Sequence, residues 1–261
     1  MITTDLTADT ILVTGGAGSI GAEIARDLAA GGAFVIVADL SAVATRAVAD
    51  EIVAIGGRAQ GWAIDVRSTE SVNDVTRALS EAGIVLTGLV NAAGILRTGA
   101  LEAMTDEAWQ EIFDVNVTGI FRTTRAVAPT LIAAGRGAIV NLSSVSAFIG
   151  SADGAAYTST KGAVLSFTSG TAGELAPYGI RVNAVCPGWV DGGFTHQAME
   201  ASDDPASLVD MAASLHPLGR MASPADVAHA VTFLMSDRAS FITGTPLFVD
   251  GGFMVQRGVR S

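Results

Sequence analysis

Tyr157 and Lys161 stand four residues apart in Tyr157-Thr158-Ser159-Thr160-Lys161. On a helix that spacing puts two side chains on one face. A free tyrosine titrates near pKa ~10, and a fixed positive charge nearby favours its phenolate. A phenol brought toward neutrality can give or take a proton, so the pair predicts general acid–base chemistry. The same spacing is an ordinary surface contact in many helices, worth a few tenths of a kcal/mol. Other features weigh toward chemistry: the chain carries only two tyrosines, Ser144 follows a strand-like run, and a glycine-rich turn lies near the N-terminus.

The elements that must position these groups alternate between strand and helix. Thr10–Thr14 is a short β-branched run, as in strands buried on both faces. It feeds into Gly15-Gly16-Ala17-Gly18-Ser19-Ile20-Gly21, and Ile20, Ile24 and Leu28 then mark a helix that stops at Gly31-Gly32. Phe34–Ala38 is the next buried strand, ending at Asp39. Strand, glycine turn, helix, strand and acid in this order are what a dinucleotide site requires. The glycines let the backbone approach a pyrophosphate, and the helix N-terminus offers it free N–H groups. Asp39 can accept hydrogen bonds from adenosine ribose hydroxyls and repels a 2′-phosphate; Leu40, Ser41 and Ala42 bring no cation to offset it. The expected cofactor is NAD rather than NADP, although Asp39 could equally cap the following helix.

Further along, Asp65-Val66 ends a third strand, where the carboxylate would lie near the adenine or cap the helix starting at Ser68. Val85–Val90 reads as strand four and leads into Asn91-Ala92-Ala93-Gly94, whose small residues leave room for a cofactor. Thr105–Val115 reads as helical, with Ile112, Val115 and Val117 in the core. Asn116 must find hydrogen-bond partners in that apolar setting, as a structural amide bridge or as the holder of a water near the site. Ala138–Leu142 is strand five and delivers Ser143 and Ser144 to the carboxyl edge of the sheet, where ligands bind in open α/β folds. Ile180–Val185 is strand six, closed by Cys186-Pro187-Gly188. Cys186 reads as a buried filler without an activating neighbour. Gly192–Leu215 lacks a regular pattern and reads as a long functional loop. Ser223-Pro224-Ala225-Asp226 starts a well-capped helix, and Pro246–Val249 is strand seven.

Composition narrows the function. The chain has 261 residues, 49% hydrophobic and 16% charged, which suits one α/β domain spanning 1–261. A net charge of -11 and a pI of about 4.6 argue against nucleic acid or an anionic membrane as partner. One cysteine excludes an internal disulfide; no apolar run approaches a membrane span, and residues 1–5 lack a signal-peptide pattern. The expectation is a cytoplasmic protein without a metal site.

The whole pattern resembles the short-chain dehydrogenase/reductase family, in its compact single-domain branch. Its marks are Thr14 through Gly21, Asp39, Asp65-Val66, Asn91-Ala92-Ala93-Gly94, Asn116, Ser144, Tyr157-x-x-x-Lys161 and Pro187-Gly188, with a typical thirteen-residue step from Ser144 to Tyr157. The resemblance implies a doubly wound, seven-stranded parallel sheet with helices on both faces, commonly in a homotetramer. It implies a catalytic set of Asn116, Ser144, Tyr157 and Lys161. It assigns cofactor contacts to Gly15, Gly18, Ser19, Ile20, Gly21, Asp39, Asp65, Val66, Asn91, Ala92, Gly94, Tyr157, Lys161, Pro187, Gly188 and Val190. Two positions depart from the family: Ser19 stands where a glycine is usual, and Gly192 where a threonine touching the nicotinamide amide is common.

The implied reaction is reversible hydride transfer between NAD and a secondary alcohol or its ketone. Tyr157 moves the hydroxyl proton, Ser144 holds the same oxygen, Lys161 lowers the Tyr157 pKa and binds ribose, and Asn116 holds a relay water. Ser144, Ser146, Tyr157 and Trp189 are the expected substrate contacts, with Phe148 beside them and Phe194 and His196 in a variable loop over about 189–217. Trp189 offers a flat wall suited to a sugar-like or cyclic alcohol, and NAD points to a polyol, sugar or small hydroxy compound. The alternatives are a 3-oxoacyl-thioester reductase, for which Arg122 and Arg125 would form a carrier patch, and a non-catalytic NAD-binding protein.

Overall fold

The computed structural model describes residues 5–255. Seven parallel strands form one sheet: β1 Thr10–Thr14, β2 Phe34–Asp39, β3 Arg58–Ala63, β4 Gly88–Asn91, β5 Gly137–Leu142, β6 Ile180–Pro187 and β7 Pro246–Val249. Their order is β3-β2-β1-β4-β5-β6-β7. The first three strands build outward in one direction and the last four in the other. The reversal opens a crevice between the carboxyl ends of β1 and β4, where open α/β sheets bind ligands.

Alternation along each strand splits the interior into two cores. Ile11, Val13, Val35 and Val37 face α1 (Ser19–Ala30), α2 (Ala42–Ala54) and α9 (Pro224–Met235). Leu12, Ile36 and Ala38 face α3 (Thr69–Glu81), α5 (Gly119–Ala134) and α6 (Ala155–Leu175). Ile24 and Leu28 of α1 pack into the first core, and Val72, Val75 and Leu79 of α3 into the second. A period of two in the strands meets a period near four in the helices, and both faces of the sheet are covered. The doubly wound, seven-stranded expectation holds. α9 starts as read: Ser223 accepts from the Asp226 N–H, and the Asp226 carboxylate accepts from the Ser223 N–H.

Two stretches differ from the sequence reading. The chain does not break between α4 (Asp106–Phe113) and α5; Asp114–Thr118 is a single π turn that joins them. The widened turn shifts the helical phase, so Asn116 is fully buried while Val115 and Val117 are only half-buried. Gly192–Leu215 is not one irregular loop but two short helices, α7 (Gly193–Glu200) and α8 (Pro205–Ser214). Asp204 caps α8 by accepting from the Ser207 N–H, with Pro205 at the first helical position. Each is short and fully buries a single residue, Thr195 or Ala212, so no run of buried apolar positions marks them. Among the described residues, no helix is long and apolar enough to cross a membrane. No group of three or more His, Cys, Asp and Glu side chains stands together as a metal site among them.

Candidate active site

The glycine turn is built by close approach. A side chain on Gly15 would run into the Ala92 and Ala93 main chain at 2.6–2.7 Å, and Gly15 itself holds φ +66°. A side chain on Gly21 would strike the Gly15 carbonyl. These two glycines therefore let the turn after β1 press against the end of β4 and against its own helix. α1 begins without a side-chain cap, whereas α2, α3 and α4 are capped by Ser41, Ser68 and Thr105. Its first-turn N–H groups thus keep no side-chain partner and fit a bound pyrophosphate.

Asp39 sits beside this turn. Its carboxylate accepts from the Ala17 N–H at 3.2 Å and from the Leu40 N–H at 2.7 Å. Ser41, not Asp39, caps α2 by accepting from the Ala44 N–H. Asp39 forms no ion pair with any arginine among the described residues, and its remaining lone pairs fit ribose hydroxyls. Asp65 is otherwise engaged: Arg67 grips it through Nε at 3.0 Å and a second guanidinium nitrogen at 2.8 Å. The Arg67 hydrogen bonds hold its carboxyl below the usual range. Ser68 rather than Asp65 caps α3. Val66 packs on Gly119, and its carbonyl accepts from Arg122 at 3.3 Å.

Asn91 turns its side chain inward. It donates to the Asn141 side-chain carbonyl at 2.8 Å and to Thr124 at 3.2 Å, and accepts from Thr123 at 2.6 Å. Asn141 in turn donates to Thr168 at 2.9 Å. The Asn91 amide is thus spent on structure, and only its main chain is left for a ligand. Gly94 lies open toward the catalytic set: a side chain there would reach Asn116 Oδ1 at 3.4 Å and Lys161 Nζ at 3.9 Å.

The four groups expected to do chemistry come together at this edge. The β5 strand delivers Ser144, whose Oγ lies 3.2 Å from the Ser146 hydroxyl and accepts from the Ser146 N–H at 3.1 Å. α6 carries Tyr157 and Lys161 on one face, with Lys161 Nζ 5.4 Å from the centre of the Tyr157 ring. Lys161 is buried and donates to the Leu142 carbonyl at 2.8 Å. Asn116 bridges the Ile95 main chain, accepting from its N–H at 2.8 Å and donating to its carbonyl at 2.9 Å. It also donates to Thr160 at 3.2 Å, one residue before Lys161. Of the two readings of Asn116, the amide bridge is the one these contacts make.

One electrostatic expectation is overturned. Burial pushes the Tyr157 phenol up to about 12, opposed by a hydrogen bond with Ser144, and Lys161 does not lower it. Burial also pulls the Lys161 amine down to about 8. Each group loses hydration, and desolvation favours the neutral form of both. The ammonium points to the Leu142 carbonyl rather than to the phenol oxygen. Cys186 is buried and its thiol is pushed up to about 11, so it stays protonated and inert.

The expected substrate side is less uniform. Phe194 of α7 meets the Tyr157 ring edge-on at 6.4 Å, while Phe148 pairs with Phe248 at 4.9 Å. His196 pairs with Asp191 at 2.8 Å on the surface. Trp189 is half-buried and its main-chain N–H donates to His216 Nε2 at 3.1 Å. That bond fixes the tautomer, so His216 Nδ1 donates to the Ala212 carbonyl at 2.7 Å. His216 locks α8 to the end of β6, and a side chain on Gly188 would lie 2.5 Å from its Nε2. Pro187 ends β6, and Val190 is buried in a bridge with Ala222. Nothing in the sequence singles out His216, because its partners are main-chain groups. Composition carries a further signal: Lys161 is the only lysine in the chain, against fourteen arginines.

Comparisons with known proteins identify the family. A family model described as enoyl-(acyl carrier protein) reductase matches residues 15–254. Cyclopentanol dehydrogenase from Comamonas sp. is 38% identical over 93% of this chain and 96% of its own. A 2,5-dichloro-2,5-cyclohexadiene-1,4-diol dehydrogenase from Sphingobium indicum is 36% identical over 94% and 95%. Among solved structures, a candidate NAD(P)-dependent gluconate 5-dehydrogenase from Beutenbergia cavernae, with NADP at low occupancy, superposes with a TM-score of 0.90. It is 34% identical over 97% of this chain and 99% of that one. The chain belongs to the short-chain dehydrogenase/reductase family. It is an oxidoreductase of CH–OH groups that uses a nicotinamide cofactor.

Proposed function

We propose that this chain is an NAD-dependent dehydrogenase of cyclic secondary alcohols. The observation that carries the reading is the convergence of Tyr157, Ser144, Lys161 and Asn116 at one end of the β1–β4 crevice, with the carboxylate of Asp39 beside the glycine turn. Tyr157 accepts the hydroxyl proton in oxidation and returns it in reduction. Ser144 hydrogen-bonds to the same oxygen and stabilises charge that develops there. Lys161 and Asn116 hold the floor of the site. When bound, the nicotinamide supplies the hydride acceptor. With its phenol near 12, Tyr157 holds its proton at neutral pH, and its base form grows as pH rises. Oxidation therefore accelerates toward alkaline pH.

The main chain of Gly15, Gly18, Ser19, Ile20 and Gly21 would hold the pyrophosphate; Asp39 would hold the adenosine ribose and set the preference for NAD. Asp65 and Val66 would serve the adenine end, Asn91, Ala92 and Gly94 would contribute main chain, and Pro187, Gly188 and Val190 would serve the nicotinamide end. Trp189, Ser146 and Phe194, in the segment over about 189–217, form the wall against which a small ring lies. The relatives named for a cyclopentanol and for a cyclohexadiene diol support a cyclic substrate. The thioester-reductase alternative has less support: Arg122 is paired with Asp114 at 2.7 Å, and Arg125 lies over the Phe121 ring at 4.7 Å. Neither is a free member of a carrier patch. The reading includes a single domain over 1–261, a homotetramer and a cytoplasmic location, for which the family resemblance is the support.

The test is NADH formation at alkaline pH over cyclic alcohols, polyols, sugars and hydroxy acids, run with NAD and NADP and with Asp39→Ala beside the wild type. The expected result is turnover of ring alcohols with NAD, and at least about tenfold loss of the NAD over NADP preference in Asp39→Ala. Turnover with NADP alone, or of open-chain substrates alone, refutes the corresponding half. Light scattering tests the tetramer.

A further inference from the structure

The two positions at which this chain departs from the family face each other. A side chain on Gly192 would start on top of the Ser19 hydroxyl, and its Cβ would lie 3.2 Å from Ser19 Cβ. Gly192 has φ 161° and ψ 175°, extended backbone that any residue adopts. Backbone conformation therefore does not require glycine there; the Ser19 side chain takes up the space a Cβ would enter, and the hydroxyl would have to turn away to admit one. The chain around it cannot easily move aside. The Asp191 N–H donates to the Ala222 carbonyl at 2.8 Å, and the Ala222 N–H donates to the Trp189 carbonyl at 2.9 Å. Pro224, at the start of α9, lies 3.6 Å from the same Cβ position. Gly192 is buried, with Ser19 and Pro224 beside it, while Ser19 is exposed.

We propose that Ser19 and Gly192 are a matched positioning pair: the serine side chain on the glycine turn occupies the place of a side chain on the β6 loop, and so sets how that loop seats over the dinucleotide edge. The serine joins the first turn of α1 to the start of α7, which carries Phe194 to the Tyr157 ring. The pair therefore links the phosphate end of the crevice to the catalytic phenol. This rests on the dinucleotide reading of the edge, but one arm of its test does not.

The test is a double-mutant cycle of Gly192→Ala, Ser19→Gly and the double variant, with two readouts. The first is NADH affinity by fluorescence, with adenosine monophosphate as a control ligand for the Asp39 end. The second is thermal unfolding of the protein without nucleotide. Gly192→Ala is expected to weaken NADH about tenfold with adenosine monophosphate binding unchanged, and to lower the melting temperature by about 2–4 °C. Adding Ser19→Gly is expected to return both to within about threefold and about 1 °C of wild type. Gly192→Ala behaving as wild type, or additive effects in the melting cycle, overturns the pair. Wild type that fails to bind NADH and NADPH overturns the dinucleotide reading instead, and the melting cycle still decides the pair.

Discussion

Two buried polar clusters lie side by side between β4, β5, α5 and α6, and they treat their hydrogen bonds differently. In the first, Asn91, Asn141, Thr123, Thr124 and Thr168 bond to one another and to helix carbonyls. It ties β4 and β5 to both helices. In the second, Lys161 makes one bond, to the Leu142 carbonyl, and Ser144 is the one hydrogen-bond partner of the Tyr157 hydroxyl among the described residues. Satisfied polar groups rigidify a core; unspent donors in a buried place cost stability and await a ligand. The difference separates the residues that hold the edge from those that work at it.

The largest expected effect is on the working cluster. Tyr157→Phe should lower turnover by at least about a thousandfold while NADH affinity stays within about threefold. Turnover within tenfold of wild type, in a pure sample, removes Tyr157 from the chemistry. Asn141→Ala should reverse that pattern. It removes the acceptor of one Asn91 amide N–H and the donor to the Thr168 hydroxyl, and urea unfolding should show a loss of about 2–4 kcal/mol, with kcat of the folded fraction within about threefold. A selective loss of kcat there would erase the distinction between the clusters.

The working cluster should also show itself in pH dependence. Lys161 is depressed to about 8 in the folded chain, below its ordinary 10.5. Between those values the unfolded chain holds the extra proton, so stability rises with pH there, by an amount on the order of 2–3 kcal/mol. Tyr157 is raised from 10 to about 12, so stability is lost again as pH climbs through that interval. Lys161→Met should abolish the rise between about pH 8 and 10. Because the chain has a single lysine, its side-chain resonance can be titrated by NMR without assignment. A midpoint near 10.5 would refute the buried, poorly hydrated amine. The smallest effect is expected at Thr160→Val, which removes the Asn116 contact at 3.2 Å: about 1 kcal/mol of stability, with a few-fold change in kcat.

Much of this was legible in the chain itself. The strand runs at β1, β2 and β5, the glycine turn and the Ser223 cap each follow from local chemistry, and the structure reproduces them. α7 and α8 were not legible, because short helices that fully bury one residue each are stabilised by what they pack on rather than by their own pattern. The burial of Asn116 depended on a π turn, which carries no signature in a sequence read for periods of two and 3.6.

The sequence alone determined which groups are present and roughly where each element starts: a tyrosine and a lysine at helical spacing, a serine at a strand end, and an acid after the second strand. Those are local matters of residue type and distance along the chain. Only the tertiary structure decided their electrical state and their partners. Burial set the Tyr157 phenol near 12 and the Lys161 amine near 8, the opposite of the mutual relief their spacing suggested. Folding also brought Ser19 and Gly192, 173 residues apart, into contact. Hydration loss and long-range packing depend on what the rest of the chain places around a residue, and no spacing along one segment contains that.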